Sequence, residues 1–206
     1  MKIFSTVVIG CFITFFSVQG FSQNNWKIDK NKDGIKVYTR VEKGSNFKVF
    51  KAIVEVDNSI GEILKILKNV SEYTKWYGYT KTSKLLKTEN DIQYNYVETI
   101  FPWPYSNRDM VYKMSIEKYS SGAVKVLLKG LPNYIPKKKR IVRMKKAEGY
   151  ILLQPNNGKT EIIYVFHSEP GKNIPAWLAN NSIANLPFKT LSGLKKMLKE
   201  KNNSKF

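Results

Sequence analysis

The feature that most constrains the fold is a series of short segments in which apolar and polar residues alternate, separated by turn residues. Ile35, Val37 and Thr39 occupy alternate positions directly after Asp33 and Gly34, which is the pattern of a half-buried strand that leaves a two-residue hairpin turn. Short loops between such segments favour an antiparallel meander over alternating strand and helix units. Further strands are predicted at residues 47–56, 82–87, 92–101, 109–118, 124–129, 141–146, 149–153 and 160–167.

Two segments instead have a helical period. Residues 60–70 carry apolar residues at three- and four-residue spacing behind an N-cap sequence, and residues 175–201 carry a longer amphipathic pattern with Pro187 as the expected kink. Residues 202–206 are expected to fray. Together these patterns predict an α+β fold over residues 23–201, in which a curved antiparallel sheet holds one long C-terminal helix.

The N-terminus has the pattern of a secretory signal peptide over residues 1–22. Lys2 supplies positive charge, an apolar run of about 16 residues follows, and Gly20 and Ser22 are the small residues before a cut at Gln23. The alternative is a transmembrane anchor, although a spanning helix prefers about 20 residues. Cleavage would remove Cys11, the one cysteine, and with it disulfides and thiolate chemistry. The sequence therefore predicts a secreted or periplasmic protein.

The charge balance is strongly basic. The chain has 35 Lys and Arg against 16 Asp and Glu, a formal net charge of +19, which predicts attraction to polyanions such as an anionic membrane or nucleic acid. An exported protein meets phospholipid more readily than nucleic acid, so the membrane is favoured and no nucleic-acid partner is expected. The densest basic stretch predicts a membrane-docking loop, with a solvated loop as the alternative. Its residues are Lys137, Lys138, Lys139 and Arg140.

Strand alternation also indicates which residues face the interior. Met110, Tyr112 and Met114 fall on one face of residues 109–118, opposite polar neighbours. Such an apolar face fits either a filled core or a cavity large enough for a lipid. Periodicity alone leaves both interpretations open.

Catalytic patterns are sparse. His167 is the only histidine, and the sequence has no Gly-x-Ser-x-Gly elbow and no glycine-rich phosphate loop. No metal site and no cofactor are therefore expected. Glu98 and Glu161 are the acids that would act as general bases if they faced a cavity.

Two motifs resemble those of START domains, the steroidogenic-acute-regulatory-related lipid-transfer family. Residues 101–111, Phe-Pro-Trp-Pro-Tyr-Ser-Asn-Arg-Asp-Met-Val, resemble the family's Pro-Trp-Pro and Arg-Asp signature. Residues 169–180, Glu-Pro-Gly-Lys-Asn-Ile-Pro-Ala-Trp-Leu-Ala-Asn, resemble the entry into its last helix. Weaker similarity extends over essentially the whole mature chain.

The resemblance implies a helix-grip fold with a hydrophobic tunnel that the last helix gates. For Arg108 and Asp109 the resemblance leaves two interpretations. They either contact the ligand directly, or they form an ion pair or backbone clamp that fixes the start of a strand. At the positions where sterol-carrying members have a buried acid and base, this sequence has Asn95 and Met114. A charged clamp for the sterol hydroxyl is therefore missing, which disfavours a sterol and favours an acyl chain. The tunnel and gate residues implied by the resemblance are Asn95, Trp103, Arg108, Met110, Tyr112, Met114, Trp177, Leu178 and Asn181.

The leading hypothesis is a monomeric protein that binds a phospholipid, fatty acid or other lipid in an internal tunnel, and transfers it at a membrane surface without a catalytic step. The first alternative is a cyclase-like enzyme of the same superfamily. The second is a basic nucleic-acid-binding module, against which the signal peptide and the gating-helix motif both argue.

Overall fold

A ten-stranded sheet dominates the computed structural model, which describes residues 25–171 and 174–203. The predicted signal peptide lies outside the described residues. The strands are β1 Lys27–Lys32, β2 Ile35–Val41, β3 Lys48–Val56, β4 Thr80–Glu89, β5 Ile92–Thr99, β6 Arg108–Lys118, β7 Val124–Gly130, β8 Val142–Arg143, β9 Lys146–Asn156 and β10 Lys159–Glu169. Their order in the sheet is β1-β2-β3-β10-β9-β7-β6-β5-β4 with antiparallel neighbours, and β8 pairs in parallel with β6.

The helices fall into two groups, one after β3 and one after β10. The predicted N-cap is present, because Ser59 Oγ accepts from the Glu62 amide at 3.3 Å while Glu62 Oε2 accepts from the Ser59 amide at 3.1 Å. The helices are α1 Ile60–Lys68, α2 Tyr73–Trp76, α3 Ala176–Ser182 and α4 Asn185–Asn203, with a 3₁₀ turn at Val70–Glu72.

Helix α4 is anchored firmly to the sheet and to α2. It buries Leu191, Leu194 and Leu198 in the same apolar cluster as residues of β2 and β3. Gly193 permits a backbone-to-backbone approach, because a Cβ at that position would lie 2.2 Å from the carbonyl oxygen of Trp76. The prediction of an α+β fold with a curved antiparallel sheet around a C-terminal helix is confirmed.

The C-terminal helical segment is divided in two, which the periodicity did not predict. Pro187 has no N–H to donate to the carbonyl of Ile183, and its ring crowds that carbonyl. The helix therefore stops at Ser182 and restarts at Asn185, so that Pro187 lies in the first turn of α4, where proline is tolerated. Helix α4 then continues to Asn203, and the fraying expected for residues 202–206 stays a prediction.

Two strand predictions also differ from the structure. Strand β1 was not identified because it is polar at nearly every position, as suits an exposed edge strand. The break predicted between residues 146 and 149 lies instead at Met144 and Lys145. Val142 and Arg143 pair with β6, whereas pairing with β10 begins at Lys146.

Candidate functional site

A cavity of about 170 Å³ lies between the concave face of the sheet and the helices. Apolar side chains form most of its lining, and Lys48 is the only charged residue that the described part of the chain contributes to it. The sheet contributes Lys48, Phe50, Val97, Thr99, Met110, Tyr112, Met114, Val126, Leu128, Ile151, Tyr164, Phe166 and Ser168. Helices and loops contribute Phe47, Leu67, Tyr73, Tyr77, Phe101, Met144, Pro170, Ala179, Asn180, Ser182, Ile183 and Leu186.

Helix α3 covers the cavity but is weakly attached. None of its seven residues is fully buried. One side chain joins it to the start of β3, because Asn180 Oδ1 accepts from the Lys48 amide at 2.9 Å and Asn180 Nδ2 donates to the carbonyl of Asn46 at 2.9 Å. We call these two hydrogen bonds of Asn180 the latch of α3. A segment with few buried contacts and such a local attachment can open independently of the core.

Four tyrosines gather in the otherwise apolar lining. The hydroxyls of Tyr77 and Tyr164 share a hydrogen bond, and Tyr73 donates to the carbonyl of Leu67 at 2.6 Å. The rings of Tyr73 and Tyr77 stack with centroids 5.1 Å apart. Helix α2 and strands β6 and β10 thus bring polar groups together inside an apolar chamber.

Burial keeps these phenols neutral. It raises the pKa of Tyr77 to about 12, and it raises the pKa values of Tyr73, Tyr112 and Tyr164 as well. The neighbouring phenols reinforce the effect for Tyr112 and Tyr164, since a phenolate would repel its neighbours. At neutral pH the cluster offers uncharged hydrogen-bond donors and acceptors.

Asn95 lies at the inner end of this cluster. It is 0% exposed. It pairs across the sheet with Tyr112, and its amide lowers the otherwise raised pKa of that phenol. Val97 and Thr99 line the cavity, so strand alternation places Asn95 on the same face of β5.

Of the residues singled out from the sequence, Met110, Tyr112 and Met114 line the cavity wall. They do so because β6 alternates regularly, with Lys113 and Ser115 on its other face. Their roles in ligand binding remain predictions.

The other six candidates lie outside this lining, and two of them, Asn95 and Arg108, are buried elsewhere. Trp103 is 92% exposed at the tip of the loop before β6, and Trp177 is 65% exposed in the first turn of α3. Leu178 is half-buried and Asn181 is exposed on the same helix. Asn180, rather than Asn181, turns towards the cavity and holds the helix in place.

Arg108 and Asp109 take structural positions. Arg108 is buried, donates to the carbonyls of Ser106 and Pro170, and lies over the ring of Phe101, 4.6 Å from its centroid. Asp109 forms a two-pronged ion pair with Arg143, with contacts of 2.7 and 3.1 Å. Neither Asp109 nor Arg143 lines the cavity. The contacts at this end of β6 are therefore those of an ion pair and a backbone clamp.

The basic loop lies on the outer face of the sheet. Arg143 donates to the carbonyls of Pro132 and Ile135 at 2.8 and 3.2 Å, which fixes the loop base against Asp109. The ammonium of Lys138 lies 3.9 Å from the centroid of the Tyr96 ring. The four predicted docking residues, Lys137, Lys138, Lys139 and Arg140, are all exposed.

The acids considered as bases lie away from the cavity lining. Glu98 accepts from Asn107 at 2.7 Å and Glu161 accepts from Gln154 at 2.8 Å. His167 lies at the end of β10, with its Nδ1 3.3 Å from the carbonyl of Lys48.

Within residues 25–171 and 174–203, no group of three or more His, Cys, Asp or Glu is placed to hold a metal ion. In the same ranges no helix is both long and apolar enough to cross a membrane.

Sequence reasoning missed two parts of this site. Tyr73 begins a short helix that no period reveals, Tyr77 follows the end of that helix, and the sequence predicts only a strand at Tyr164. Asn180 belonged to a recognised motif, but only the fold shows that its amide reaches the backbone of residues 46 and 48. The clustered aromatic positions at 73, 76 and 77 were the available signal.

Comparison with known proteins identifies relatives across nearly the whole chain. The sequence model of the START domain family matches residues 15–204. An uncharacterised protein of Pseudomonas aeruginosa is 36% identical over 172 residues, which are 83% of this chain and 85% of that protein. Phosphatidylcholine transfer protein of Mus musculus is 25% identical over 164 residues, which are 76% and 75% of the two chains.

Solved structures agree with that assignment. The crystal structure of a STAR-related lipid transfer protein from Xanthomonas axonopodis has a TM-score of 0.80 and 36% identity, and the match covers 84% of this chain and 98% of that one. Human StAR-related lipid transfer protein 5 has a TM-score of 0.79 at 17% identity, and the match covers 88% and 90% of the chains. The second likeness concerns the fold alone.

Proposed function

Because this chain belongs to the START domain family, we propose that it binds one lipid molecule in the cavity beneath α3 and transfers it at a membrane surface, with no catalytic step. The family's lipid-transfer members support lipid binding in general. The observation that carries the proposal for this chain is the concave, largely apolar lining, in which Lys48 is the one charged residue among those described.

The cavity volume indicates that loading requires movement. A cavity of about 150 Å³ accommodates a molecule the size of benzene, whereas this one, at about 170 Å³, must enlarge to hold an acyl chain. Helix α3 is the element that can yield, since it buries no residue completely and is latched by Asn180. Helix α4 stays in place because its apolar residues belong to the core.

Membrane docking at the cavity mouth is the second part of the proposal. Thr99 and Phe101 line the cavity, and the same loop carries the exposed Trp103. Trp177 is exposed on the covering helix. Tryptophan side chains prefer the boundary between water and lipid, and the basic loop of residues 137–140 adds attraction to an anionic leaflet.

The proposal includes export, with the first 22 residues acting as a cleaved signal peptide. The mature chain would then act in the periplasm or outside the cell, where its positive charge would attract it to anionic phospholipid surfaces. Export removes Lys2 and no acidic residue, so the strong positive charge is retained.

The deciding experiment is native mass spectrometry of the exported protein, followed by solvent extraction of what co-purifies. A stoichiometric phospholipid, fatty acid or other apolar mass is expected, and the N-terminal mass is expected to place Gln23 first. A protein that stays empty after incubation with lipid vesicles would contradict the proposal.

A further inference from the structure

The convex face of the sheet, opposite the cavity, carries apolar residues that the proposed function does not use. An antiparallel sheet with one face in water normally alternates apolar and polar residues. Three neighbouring strands instead contain unbroken apolar runs, at residues 126–128 in β7, 150–153 in β9 and 162–166 in β10. Because successive side chains of a strand point to opposite faces, each run places apolar side chains on the convex face as well as in the core.

The strand register gathers these side chains into one patch. Ile163 pairs with both Ile53 and Leu152. The helices bury their apolar residues on the other face of the sheet, in one core cluster with alternate residues of the same strands. A contiguous, partly exposed apolar patch of this kind marks an interaction surface. The convex patch consists of Ile53, Leu127, Tyr150, Leu152, Ile163 and Val165, all partly exposed.

The charges beside the convex patch are complementary to those of a second copy of the chain. One row of cross-strand neighbours, from β2 to β6, is Lys36, Ile53, Ile163, Leu152, Lys125 and Glu117. If two copies pack convex face to convex face about a two-fold axis that runs along the strands between β10 and β9, this row meets its own reverse. The exposed Lys36 of each copy then faces the exposed Glu117 of the other, and Ile163 faces Leu152.

The adjacent row also matches its own reverse. Val165 faces Tyr150, and the apolar stem of Lys51 packs against Leu127. In the next row towards the cavity mouth Arg40 would face Lys113, so the contact is centred on the two apolar rows. The adjacent row is Tyr38, Lys51, Val165, Tyr150, Leu127 and Ser115.

We propose that the convex patch is the interface of a homodimer, in which a second copy of this chain packs about that two-fold axis. The dimer takes the place of the monomer expected from the sequence. It goes beyond the lipid-binding function, because the patch and the cavity lie on opposite faces of the sheet.

Both cavity mouths lie at the same end of this dimer. The mouth is at the end of the sheet where β3 begins and where β5 and β10 finish, since Lys48, Thr99 and Ser168 line the cavity there. Strand β7 also finishes at that end, and the basic loop of residues 137–140 follows it. An axis along the strands keeps this end facing the same way in both copies. The two copies then meet one membrane together, which strengthens attachment through avidity.

The first test is sedimentation velocity of the mature chain from about 1 to 200 µM. We expect a reversible dimer, and we expect Leu152→Lys, which places charge beside the axis, to raise its dissociation constant at least about tenfold. Leu85→Lys makes the same change at an exposed apolar residue of the edge strand β4 and should leave the dimer unchanged. Circular dichroism and binding of a fluorescent hydrophobic probe verify that both variants are folded.

Charge reversal tests the pairing between the copies. Lys36→Glu and Glu117→Lys each bring like charges together, so each is expected to weaken the dimer about fivefold. The double variant exchanges the two charges and restores opposite signs across the interface. Its dissociation constant should therefore return to within about twofold of that of the mature chain.

Three results would overturn the proposal. A mature chain that stays monomeric at about 200 µM has no such interface, and the patch is then left to a different partner. A dimer that Leu152→Lys does not weaken forms through another surface. A double variant that remains as weak as the single charge reversals refutes the two-fold axis. None of these results affects the lipid-binding function, which the mass spectrometry tests separately.

Discussion

At the scale of single residues, the buried Asp109–Arg143 ion pair is the contact whose disruption should reduce stability most. Both side chains are 1% exposed, and the same guanidinium holds the loop that follows Gly130. A buried ion pair is weak support for stability as a whole, but loss of one partner leaves an uncompensated charge. Removal of Arg143 would therefore disturb both the start of β6 and the loop that follows β7.

We expect Arg143→Met to lower the free energy of unfolding by about 3–5 kcal/mol, because Asp109 is then left charged and buried. The measurement is urea denaturation at neutral pH. Arg140→Met, an exposed change three residues earlier, is the control and should stay within about 0.5 kcal/mol of the wild type. Adding Asp109→Leu to Arg143→Met should recover much of the loss, and a double variant as unstable as the single one would contradict this account.

The tyrosine cluster makes stability depend on pH in the alkaline range. Burial raises the pKa of Tyr77 to about 12 in the folded protein, whereas an exposed tyrosine has a pKa of about 10. Below pH 10 both states keep the proton, so no effect is expected there. Between pH 10 and about 12 only the unfolded chain ionises, so stability falls as the pH rises.

Tyr77→Phe should therefore lose stability less steeply than the wild type above pH 10, with a slope difference of up to about 1.4 kcal/mol per pH unit. The measurement is the free energy of unfolding in urea from pH 9 to 11.5. Deprotonation of the many lysines affects both proteins alike and cancels in the comparison. Parallel curves would mean that Tyr77 ionises equally in both states.

At the scale of elements, α3 and α4 contrast although they follow one another directly. Helix α4 has buried leucines and a backbone contact with α2, whereas α3 depends on Asn180. The sequence pattern of residues 175–201 did not separate them, because both halves are amphipathic. The division depends on Pro187, which the sequence identifies, and on burial, which only the assembled sheet determines.

Asn180→Ala should loosen α3 without unfolding the protein. Loss of both hydrogen bonds to the residue 46–48 backbone is expected to speed amide hydrogen exchange in α3, and release of bound lipid, several-fold. Global stability should change by about 1 kcal/mol or less, since α3 buries no residue completely. Asn181→Ala, which alters an exposed neighbour, is the matched control, and equal exchange rates in the two variants would refute the latch.

At the scale of the whole molecule, alternation and turn chemistry were sufficient to predict the class of fold. Residues 35–41 and 109–118 are recognisable as strands because apolar residues alternate with polar ones along them, with Val111 as the exception in the second segment. The polar β1 and the short α2 lacked such a contrast. The wall residues of β6 follow from the same alternation, and Asn95 is named by the resemblance. The positions of Tyr73, Tyr77 and Tyr164 depend on pairings between strands and helices distant in sequence.

The distribution of charge also belongs to this scale. Replacement of Lys137, Lys138, Lys139 and Arg140 by Gln should weaken binding to anionic vesicles at low salt, by about fivefold for each residue that lies near the leaflet. Vesicle co-sedimentation over a range of salt concentrations measures it. Glutamine at Lys32, Lys36, Lys65 and Lys199 removes the same charge from exposed positions elsewhere. An equal loss in both variants would show that net charge, rather than the loop, controls docking.

The contrast between α3 and α4 has a kinetic consequence. If α3 opens while α4 and the sheet keep their places, the cavity changes its access but not its shape. A substitution at position 180 would then shorten the residence time of a bound molecule without changing which molecules fit.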